Sequence, residues 1–457
     1  MCNNNGHCRK FDVGVMCPSY RVTRDENHST RGRANTLRLA LSGQLGEFRE
    51  PSPLPFPAGG RRSKTTACGS ESALLPLPPT GEGWGEGALE AVKDALDLCV
   101  GCKGCKRDCP TGVDMAKMKV EFLHHYKTKY GYTLKDKLVA YLPDYARWAS
   151  RLAPILNLRD RIPGLALLSE KVTGLSAQRT LPQWSTRTFF NSGDVSLKGV
   201  SRDEVLASSK PVVLFVDTFN GYFESSNAIS ALKVLRAAGY SVHIATKTIA
   251  DGKSLCCGRT FLASGMVDQA KVKAAELVAA LLPFAEKGIT IVGLEPSCLL
   301  TMRDEMLVMG LGEAAQIISA HALLLEEFLA REAAAGKLDA LKARLKSVSQ
   351  PILLHGHCHQ KAFGAVSPVM DVLRLIPGAQ PELIESSCCG MAGSFGYEAS
   401  HYEVSMQMAE LSLLPAIRKR PNAIVVADGT SCRHQIRDGA QREAVHVAVL
   451  LARQLQA

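Results

Sequence analysis

The chain has 457 residues, of which 46% are hydrophobic and 21% are charged. This length supports roughly two to four domains with cores of their own. The net charge is +10, but lysine and arginine are spread along the chain and aromatic residues make up only 6%. Without a stacking platform beside the basic residues, nucleic-acid binding is not expected.

The cysteines carry the chemical signal of this composition. No apolar run reaches the ~18 residues that span a bilayer, and the first residues lack the apolar segment of a secretion signal. These features predict a soluble, cytoplasmic protein. In a reducing compartment, fifteen cysteines predict metal or redox chemistry rather than structural disulfides.

The N-terminal 87 residues divide into two stretches of different character. Residues 1–47 carry three cysteines and then a helical pattern, which Ser29 can cap and in which leucines recur every four residues. Residues 48–87 are rich in proline and end in a glycine-rich run. Such a stretch buries too little apolar surface to offset its ordering entropy, and we expect a disordered insert.

Residues 88–200 resume the helical pattern around a dense cysteine run. An amphipathic helix is predicted over 88–98, and the cysteines follow at 99–109. Further helices carry lysines that we expect to form a solvated basic face, with a docking surface as the alternative: Lys117, Lys119, Lys127 and Lys129.

Residues 205–457 alternate short β-branched runs with long helical stretches, which predicts α/β units with parallel sheets. The candidate strands are 212–216, 242–245, 289–294, 352–355 and 423–427. An internal repeat divides this half into modules at 205–335 and 345–457. Cys256-Cys257-Gly258 is followed by Cys298, and Cys388-Cys389-Gly390 is followed at similar spacing by Cys432.

The run Cys99-x2-Cys102-x2-Cys105-x3-Cys109-Pro110 has the spacing of a [4Fe–4S] ligand set. Three thiolates at this spacing enclose one cluster, and turns at Gly101 and Gly104 are expected to point the sulfurs inward. The fourth cysteine of such a run, before a proline, ligates the cluster of a second run. Zinc is the alternative, but zinc sites normally use two well-separated ligand pairs.

A second run is present in degraded form near the N-terminus. Cys2, Cys8 and Cys17-Pro18 follow the pattern, but Asn5 stands at the position of the middle cysteine. If the two runs exchange their last ligands, site A consists of Cys17, Cys99, Cys102 and Cys105. Site B then consists of Cys2, Cys8 and Cys109, which suits a [3Fe–4S] cluster or a [4Fe–4S] cluster with one ligand other than cysteine. The alternative is that Cys2 and Cys8 are unrelated thiols.

The repeated modules offer two more candidate sites. Site C is the four-cysteine set of the second module: Cys358, Cys388, Cys389 and Cys432. A cluster is the first interpretation, and zinc or a redox-active thiol group are the alternatives. His355, His357 and His359 surround Cys358 in sequence, and a packing role is expected for them more than ligation.

Site D is the smaller set of the first module. It keeps only Cys256, Cys257 and Cys298, with Glu295 as a candidate oxygen ligand and Phe219 at the place of Cys358.

These motifs resemble a known family. The run 99–110 with residues 111–115, the segment 30–35 and the two Cys-Cys-Gly modules are similar to the C-terminal, iron–sulfur half of FAD-linked D-2-hydroxyacid dehydrogenases of the D-2-hydroxyglutarate/D-lactate dehydrogenase type. More distant similarity is to the iron–sulfur subunit of glycolate oxidase and to cysteine-rich subunits of heterodisulfide reductase. The resemblance implies an α+β multidomain fold, with an α-helical two-cluster ferredoxin domain (1–47 and 88–200) followed by two α/β Cys-Cys-Gly modules.

The resemblance also implies a function. The flavin-binding portion that precedes the first cysteine run in the fused family is not found in this chain, so we expect a flavin-binding dehydrogenase subunit as partner and an electron-transfer role. The expected acceptor is a quinone or a soluble carrier, and the expected location is cytoplasmic, with a peripheral position at the inner membrane face as an alternative. The rival functions are a catalytic redox site at the Cys-Cys-Gly modules, a zinc-containing scaffold and a non-functional fragment.

Overall fold

The computed structural model describes residues 2–10, 16–45, 86–191, 198–246 and 254–456. The predicted insert at 48–87 lies outside these residues except for 86 and 87, with which a helix begins. The N-terminal helical region contains α1 (Pro18–Thr23), α2 (Thr30–Leu41), α3 (Glu86–Asp97), α4 (Gly104–Asp108), α5 (Met115–Tyr130), α6 (Leu134–Ala140), α7 (Leu142–Arg151), α8 (Ala153–Leu156) and α9 (Leu165–Thr173). Helix α10 (Arg202–Ala207) leads into the first sheet.

The helix starts of this region are set by side-chain caps. The Ser29 hydroxyl accepts a hydrogen bond from the backbone N–H of Gly32, so α2 begins where the sequence predicts. Asp114 caps α5 in the same way by accepting from the N–H of Lys117. Helices α2 and α3 pack together, and their apolar residues enclose Cys8, Cys17 and Cys105.

The first module is a four-stranded parallel sheet. Its strands are β1 (Pro211–Phe215), β2 (Ser241–Ile244), β3 (Ile291–Gly293) and β4 (Ala322–Leu324), in the order β2-β1-β3-β4. Its helices are α11 (Thr218–Tyr222), α12 (Ser225–Ala237), α13 (Arg259–Ala263), α14 (Val267–Ala285), α15 (Pro296–Met302), α16 (Gly312–His321), α17 (Leu325–Ala334) and α18 (Asp339–Lys342).

The second module repeats this arrangement. Its strands are β5 (Ile352–Leu354), β6 (Pro381–Leu383), β7 (Ile424–Val426) and β8 (Ala444–Val445), in the parallel order β6-β5-β7-β8. Its helices are α19 (Cys358–Ala362), α20 (Ser367–Leu373), α21 (Tyr402–Glu410), α22 (Leu413–Arg418), α23 (Thr430–Ala440) and α24 (Val447–Gln454). The five predicted strands overlap β1, β2, β3, β5 and β7, whereas the short strands β4, β6 and β8 were not predicted.

The two sheets share one apolar core. Helix α12 of the first module packs on α24 of the second, and α17 packs on α20. Buried residues of both sheets belong to the same cluster. The chemically active residues follow the carboxyl ends of the strands, where parallel α/β sheets place their sites.

Ion pairs join the N-terminal helical region to the first module. Lys103 is buried, and its ammonium lies 2.5 Å from a carboxylate oxygen of Asp304 and 2.6 Å from one of Glu305. The ammonium groups of Lys106 and Lys117 each lie 2.6 Å from the other Asp304 oxygen. These lysines lower the pKa of Asp304 although its burial acts in the opposite direction.

The prediction of a solvated basic face on α5 is therefore wrong. Lys117 binds Asp304, and Lys127 pairs with Asp136 at 2.6 Å. The ammonium of Lys119 donates to the carbonyl oxygens of Asp97 and Cys99. Three of the four lysines hold the fold together because other elements cover the face that the sequence pattern left open.

Candidate metal centres

The four cysteines of site A border one cavity of about 310 Å³. Cys17, Cys102 and Cys105 are each less than a tenth exposed. Burial raises the pKa of the Cys105 thiol to about 12 and also raises the pKa of Cys102. Four sulfurs around one cavity, three of them buried, fit a metal–sulfur group, because a bound cation stabilises the thiolates that burial disfavours.

The backbone of the cysteine run turns at two left-handed residues. Gly101 and Lys103 both have a φ of 58°. The predicted turn at Gly104 is wrong by one residue, because Gly104 is the first residue of α4 and Lys103 is its N-cap. The buried ion pairs of Lys103 hold this turn in place.

Polar hydrogens point at the sulfurs of site A. The backbone N–H of Thr30 donates to the Cys17 sulfur at 3.0 Å, and the Thr30 hydroxyl lies 2.9 Å from the same sulfur. The N–H of Met115 donates to the Cys105 sulfur at 3.4 Å. Hydrogen bonds to ligand sulfurs tune the reduction potential of a bound cluster. No sequence pattern singles out Thr30 for this role, because its position beside Cys17 depends on the fold.

Site B is only partly assembled in the structure. Cys8 is buried and lies close enough to Cys109 to influence its pKa. A hydrogen bond with Cys17 lowers the pKa of the Cys8 thiol to about 6, so Cys8 contacts a site A residue as well. Cys2 packs against the same apolar cluster. The side-chain oxygen Oδ1 of Asn5 accepts a hydrogen bond from the N–H of His7 at 3.0 Å, so the side chain at the position of the missing cysteine is engaged by a neighbouring residue.

Site C is a compact, buried group. Its four cysteines are at most 7% exposed. Cys358 and Cys388, Cys388 and Cys389, and Cys389 and Cys432 lie close enough for each thiol to shift the pKa of its neighbour. The donor atoms of His355, Cys389 and Cys432 lie within 4.8 Å of one another. This set of sulfur and nitrogen donors fits a metal–sulfur group or a single soft metal ion.

The three histidines around Cys358 have different roles. His355 is fully buried, its pKa is lowered to about 4 by burial, and its Nε2 atom has no hydrogen-bond partner. It is therefore a neutral imidazole available as a ligand. His357 caps α19 by accepting from the N–H of His359. His359 lies 3.2 Å from the carbonyl oxygen of Gly101 in the site A loop.

Two residues outside the predicted ligand set support the Cys388-Cys389-Gly390 turn. The buried ammonium of Lys361 donates to the carbonyl oxygens of Ser386 and Ser387 at 2.6 and 3.1 Å. Gly390 has a φ of 87°, and a Cβ atom there would lie 2.3 Å from the carbonyl oxygen of Ser405. Only glycine fits this position, which explains the third residue of the motif.

Site D borders a separate cavity of about 220 Å³. Cys257 lies close enough to both Cys256 and Cys298 for the neighbouring thiols to shift its pKa. Asp217 also borders this cavity, and burial together with the nearby Glu295 raises its pKa to about 6. Asp217 was not predicted as a site residue, although it lies close after the first buried strand.

Two expectations for site D need correction. Thr218, not Phe219, corresponds to Cys358, because each is the first residue of the short helix after the first strand of its module. Both oxygens of Glu295 are already engaged, one with Ser297 and the other with the N–H of Thr430 at 2.9 Å. Glu295 therefore joins the two modules instead of pointing its carboxylate at a metal.

Sites A and C adjoin each other. Cys102 and Cys358 belong to one buried cluster, and Cys358 contributes to the raised pKa of Cys102. Helix α4 packs on α19, and His359 contacts the Gly101 carbonyl. The site A loop and the first helix of the second module therefore form a common wall.

Known families match these regions of the chain. Residues 1–113 match the 4Fe-4S dicluster domain, and residues 221–303 and 352–437 match the cysteine-rich domain. The chain carries a 4Fe-4S dicluster domain and two cysteine-rich domains. Iron–sulfur clusters are therefore supported as its cofactors, and the cysteine geometry of the dicluster domain at site A fits them.

Several known proteins are similar to the chain over much of its length. D-2-hydroxyglutarate dehydrogenase of Escherichia coli K12 is 27% identical over 456 residues, covering 95% of this chain and 42% of the relative. A subunit of the anaerobic glycerol-3-phosphate dehydrogenase of E. coli K12 is 27% identical over 305 residues, covering 66% of this chain and 72% of the relative. The probable glycolate oxidase iron-sulfur subunit of Bacillus subtilis is 26% identical over 387 residues, covering 79% of this chain and 83% of the relative.

The chain is therefore similar in sequence to iron–sulfur components of oxidoreductases. The chain spans about two fifths of the length of the D-2-hydroxyglutarate dehydrogenases that it matches. Within the described part of the chain, no helix combines the length and the apolar character needed to cross a bilayer.

Proposed function

We propose that the chain is the iron–sulfur electron-transfer part of a flavin-linked 2-hydroxyacid dehydrogenase. Site A would hold a [4Fe–4S] cluster, site B a [3Fe–4S] or [4Fe–4S] cluster, and site C a further metal–sulfur group. Such groups supply one-electron transfer when bound. The residues of the chain supply the thiolate ligands, the hydrogen bonds to sulfur and the exclusion of water.

The common wall between sites A and C carries this proposal. The two cysteine sets come from distant parts of the sequence, yet Cys102 and Cys358 lie in one buried cluster. His359 binds the backbone of the site A loop at Gly101. A chain that only stored metal would have no reason to place two sulfur sets against each other, whereas electron transfer requires this proximity.

The burial of site C favours an electron relay over a catalytic disulfide site. Cys388 is 2% exposed, Cys389 is 3% exposed and Cys432 is 1% exposed. A disulfide substrate needs direct attack by a thiolate on sulfur, which requires access for the substrate. Electron transfer through the protein needs no such access.

The proposed partner is a flavin-binding subunit that oxidises a small 2-hydroxyacid. The support is the similarity to D-2-hydroxyglutarate dehydrogenases, which are longer than this chain. Two further relatives are a glycerol-3-phosphate dehydrogenase subunit and an iron-sulfur subunit, so the same type of chain also occurs as a separate subunit. A quinone or a soluble carrier would accept the electrons.

A quinone acceptor would require a peripheral position at a membrane, and an exposed apolar surface of the chain supports such a position. Helices α7, α8 and α9 and the residue between α7 and α8 expose more than half of several large apolar side chains: Trp148, Leu152, Ile155, Leu167, Leu168 and Val172. The guanidinium of Arg151 lies 4.5 Å from the centre of the Trp148 ring. An apolar helix face bordered by arginine is typical of segments that lie in the headgroup region of a bilayer.

Metal analysis of the full chain tests the proposal. The chain is purified without oxygen, and iron, acid-labile sulfide and zinc are measured together with electron paramagnetic resonance (EPR) spectra. We expect about seven to twelve irons per chain with matching sulfide. Cys102→Ser is expected to remove about four irons, and Cys389→Ser to remove those of site C alone.

Cys68→Ser is the matched control, because Cys68 belongs to none of the four sites. It should retain the full iron content. Stoichiometric zinc without sulfide at site C would contradict the relay and favour a scaffold. Cluster reduction by a flavin subunit with 2-hydroxyacid, lost in Cys102→Ser but kept in Cys68→Ser, would support the pathway directly.

A further inference from the structure

A second buried group of polar side chains lies where the two sheets meet. Glu326 follows β4, Asp428 follows β7 and His446 follows β8. All three side chains are fully buried. Their donor atoms lie within 4.8 Å of one another. None of the three belongs to sites A to D, and no sequence pattern singled out any of them.

Two members of this group have complete hydrogen bonding. The Asp428 carboxylate accepts from the N–H of Val447 at 3.1 Å and from the side-chain amide of Gln360 at 2.9 Å. His446 Nδ1 accepts from the N–H of Ala448 at 3.1 Å. Its Nε2 lies 3.2 Å from the carbonyl oxygen of Leu294, so Nε2 carries the hydrogen and donates.

Glu326 differs from both neighbours. Neither of its carboxylate oxygens has a hydrogen-bond partner in the structure. The closest cationic candidate, Nε2 of His446, lies 3.9 Å away and already faces Leu294. An ionised carboxylate without a partner in a dry interior costs several kcal/mol, and such groups take up a proton instead.

The surrounding charges do not supply a counterion. Arg433 donates to the backbone carbonyl oxygens of Ala427 and Asp428, and its guanidinium pairs with Glu224. Glu327, the next residue on α17, pairs with Arg303 and adds a further negative charge nearby. Burial is the main cause that raises the pKa of Glu326, and the nearby carboxylate of Asp428 raises it further.

A metal ion is a poor fit to this group. Both nitrogens of His446 are engaged in hydrogen bonds, so the ring has no free lone pair to offer. Protonation removes the unpaired negative charge of Glu326 without rearranging any neighbour.

We propose that Glu326 is a neutral carboxylic acid at physiological pH and holds a proton at the contact between the two sheets. This inference does not depend on which metal the cysteine sites bind. The protonation state of Glu326 affects site C through Gln360. The side-chain amide of Gln360 donates to Asp428, and its side-chain oxygen accepts from the N–H of His357. Ionisation of Glu326 would bring an uncompensated negative charge close to Asp428, which is linked through Gln360 to the helix that carries Cys358.

The pH dependence of unfolding in the full chain tests this proposal. The folded state keeps the proton of Glu326 above the pH at which the unfolded chain releases it. Stability therefore falls as pH rises through this range. Glu326→Gln is neutral at every pH and takes up no proton on folding. The ratio of its folding equilibrium constant to that of the native chain should therefore rise about tenfold per pH unit above ~pH 5. The rise should stop at the pH where Glu326 ionises in the folded native chain.

Glu327→Gln is the matched control, because it removes the adjacent carboxylate that pairs with Arg303. It should destabilise the chain without this pH-dependent gain. Infrared spectra supply an independent measurement: a carbonyl stretch of a protonated carboxylic acid should be present at pH 7 and absent in Glu326→Gln. Loss of stability in Glu326→Gln together with loss of one bound metal ion would overturn the proposal, as would an unchanged carbonyl region.

Discussion

Replacing Glu224 with glutamine should separate the contact between the two cysteine-rich domains from their metal chemistry. The Glu224 carboxylate binds Arg433 through Nε and Nη2 and accepts from the Thr430 hydroxyl at 2.8 Å. Arg433 is only 5% exposed. Glu224→Gln therefore leaves a buried guanidinium with a neutral partner, while every cysteine stays unchanged.

The expected loss of folding free energy can be estimated in two ways. Burial alone would raise the pKa of Glu224, but Arg433 more than compensates and the pKa falls from 4.5 to about 2. This difference corresponds to about 3 kcal/mol of folding free energy at pH 7. Removing one partner of a buried ion pair costs roughly 3–5 kcal/mol. We therefore expect a loss of about 3 kcal/mol.

The pH dependence provides a second signature. Because the folded pKa is below the unfolded value, the stabilisation is complete above pH 4.5 and is lost as pH falls towards 2. The stability gap between the native chain and Glu224→Gln should shrink to about 2 kcal/mol at ~pH 3.5.

Urea unfolding followed by tryptophan fluorescence measures this gap. The Trp184 ring lies 4.3 Å from the ring of Phe223, next to the substituted residue. Glu410→Gln is the matched control, because Glu410 binds Arg418 through two hydrogen bonds on the exposed surface. It should cost at most about 1 kcal/mol. A loss below about 1 kcal/mol in Glu224→Gln, or a gap that does not change with pH, would refute the reasoning.

Three further predictions concern the turn, the cluster environment and the surface. Gly390→Ala should reduce the free energy of unfolding in urea by several kcal/mol, because its Cβ would lie 2.3 Å from a carbonyl oxygen. Gly393 also has a positive φ but no neighbour within 4 Å of a Cβ, so Gly393→Ala is the control and should cost about 1 kcal/mol. Thr30→Val removes one hydrogen bond to the Cys17 sulfur. The reduction potential of site A should therefore fall by about 40 mV in an EPR-monitored titration, which is the one-electron equivalent of ~1 kcal/mol. An unchanged potential would contradict the role of this hydroxyl. Leu168→Asp should reduce flotation of the chain with anionic vesicles at least several-fold without changing its iron content, and equal flotation would exclude α9 from the membrane contact.

The sequence predicts those parts of the site that depend on local spacing. The four cysteines of site A follow from the 99–109 run and its proline-flanked partner, and the structure brings these four residues to one cavity. The assignment of iron to each site remains a prediction. The five predicted strands were found because their β-branched runs contrast with their surroundings. Strand β4 contains no β-branched residue and β8 has only two residues, so neither shows such a run.

Tertiary contacts determined what the sequence could not show. Lys119 lies on a helix face that has the pattern of a solvated surface, yet its ammonium binds the Cys99 carbonyl. Glu326 and Glu327 are adjacent identical residues, yet only Glu326 is fully buried, and nothing in the local sequence distinguishes them. Asp217 gains part of its raised pKa from Glu295, which lies at another strand end. Such roles arise from neighbours that are distant in sequence.

The three lysines gathered on Asp304 have a consequence for the kinetics of electron transfer. Lys103, Lys106 and Lys117 bind one carboxylate of the first cysteine-rich domain and so fix the dicluster domain in a single orientation. A carrier domain that swings between donor and acceptor is limited by the rate of its motion. These ion pairs, and the contact of His359 with the site A loop, oppose such a swing. Tunnelling across the wall between sites A and C, and not diffusion of a domain, would therefore set the rate between them.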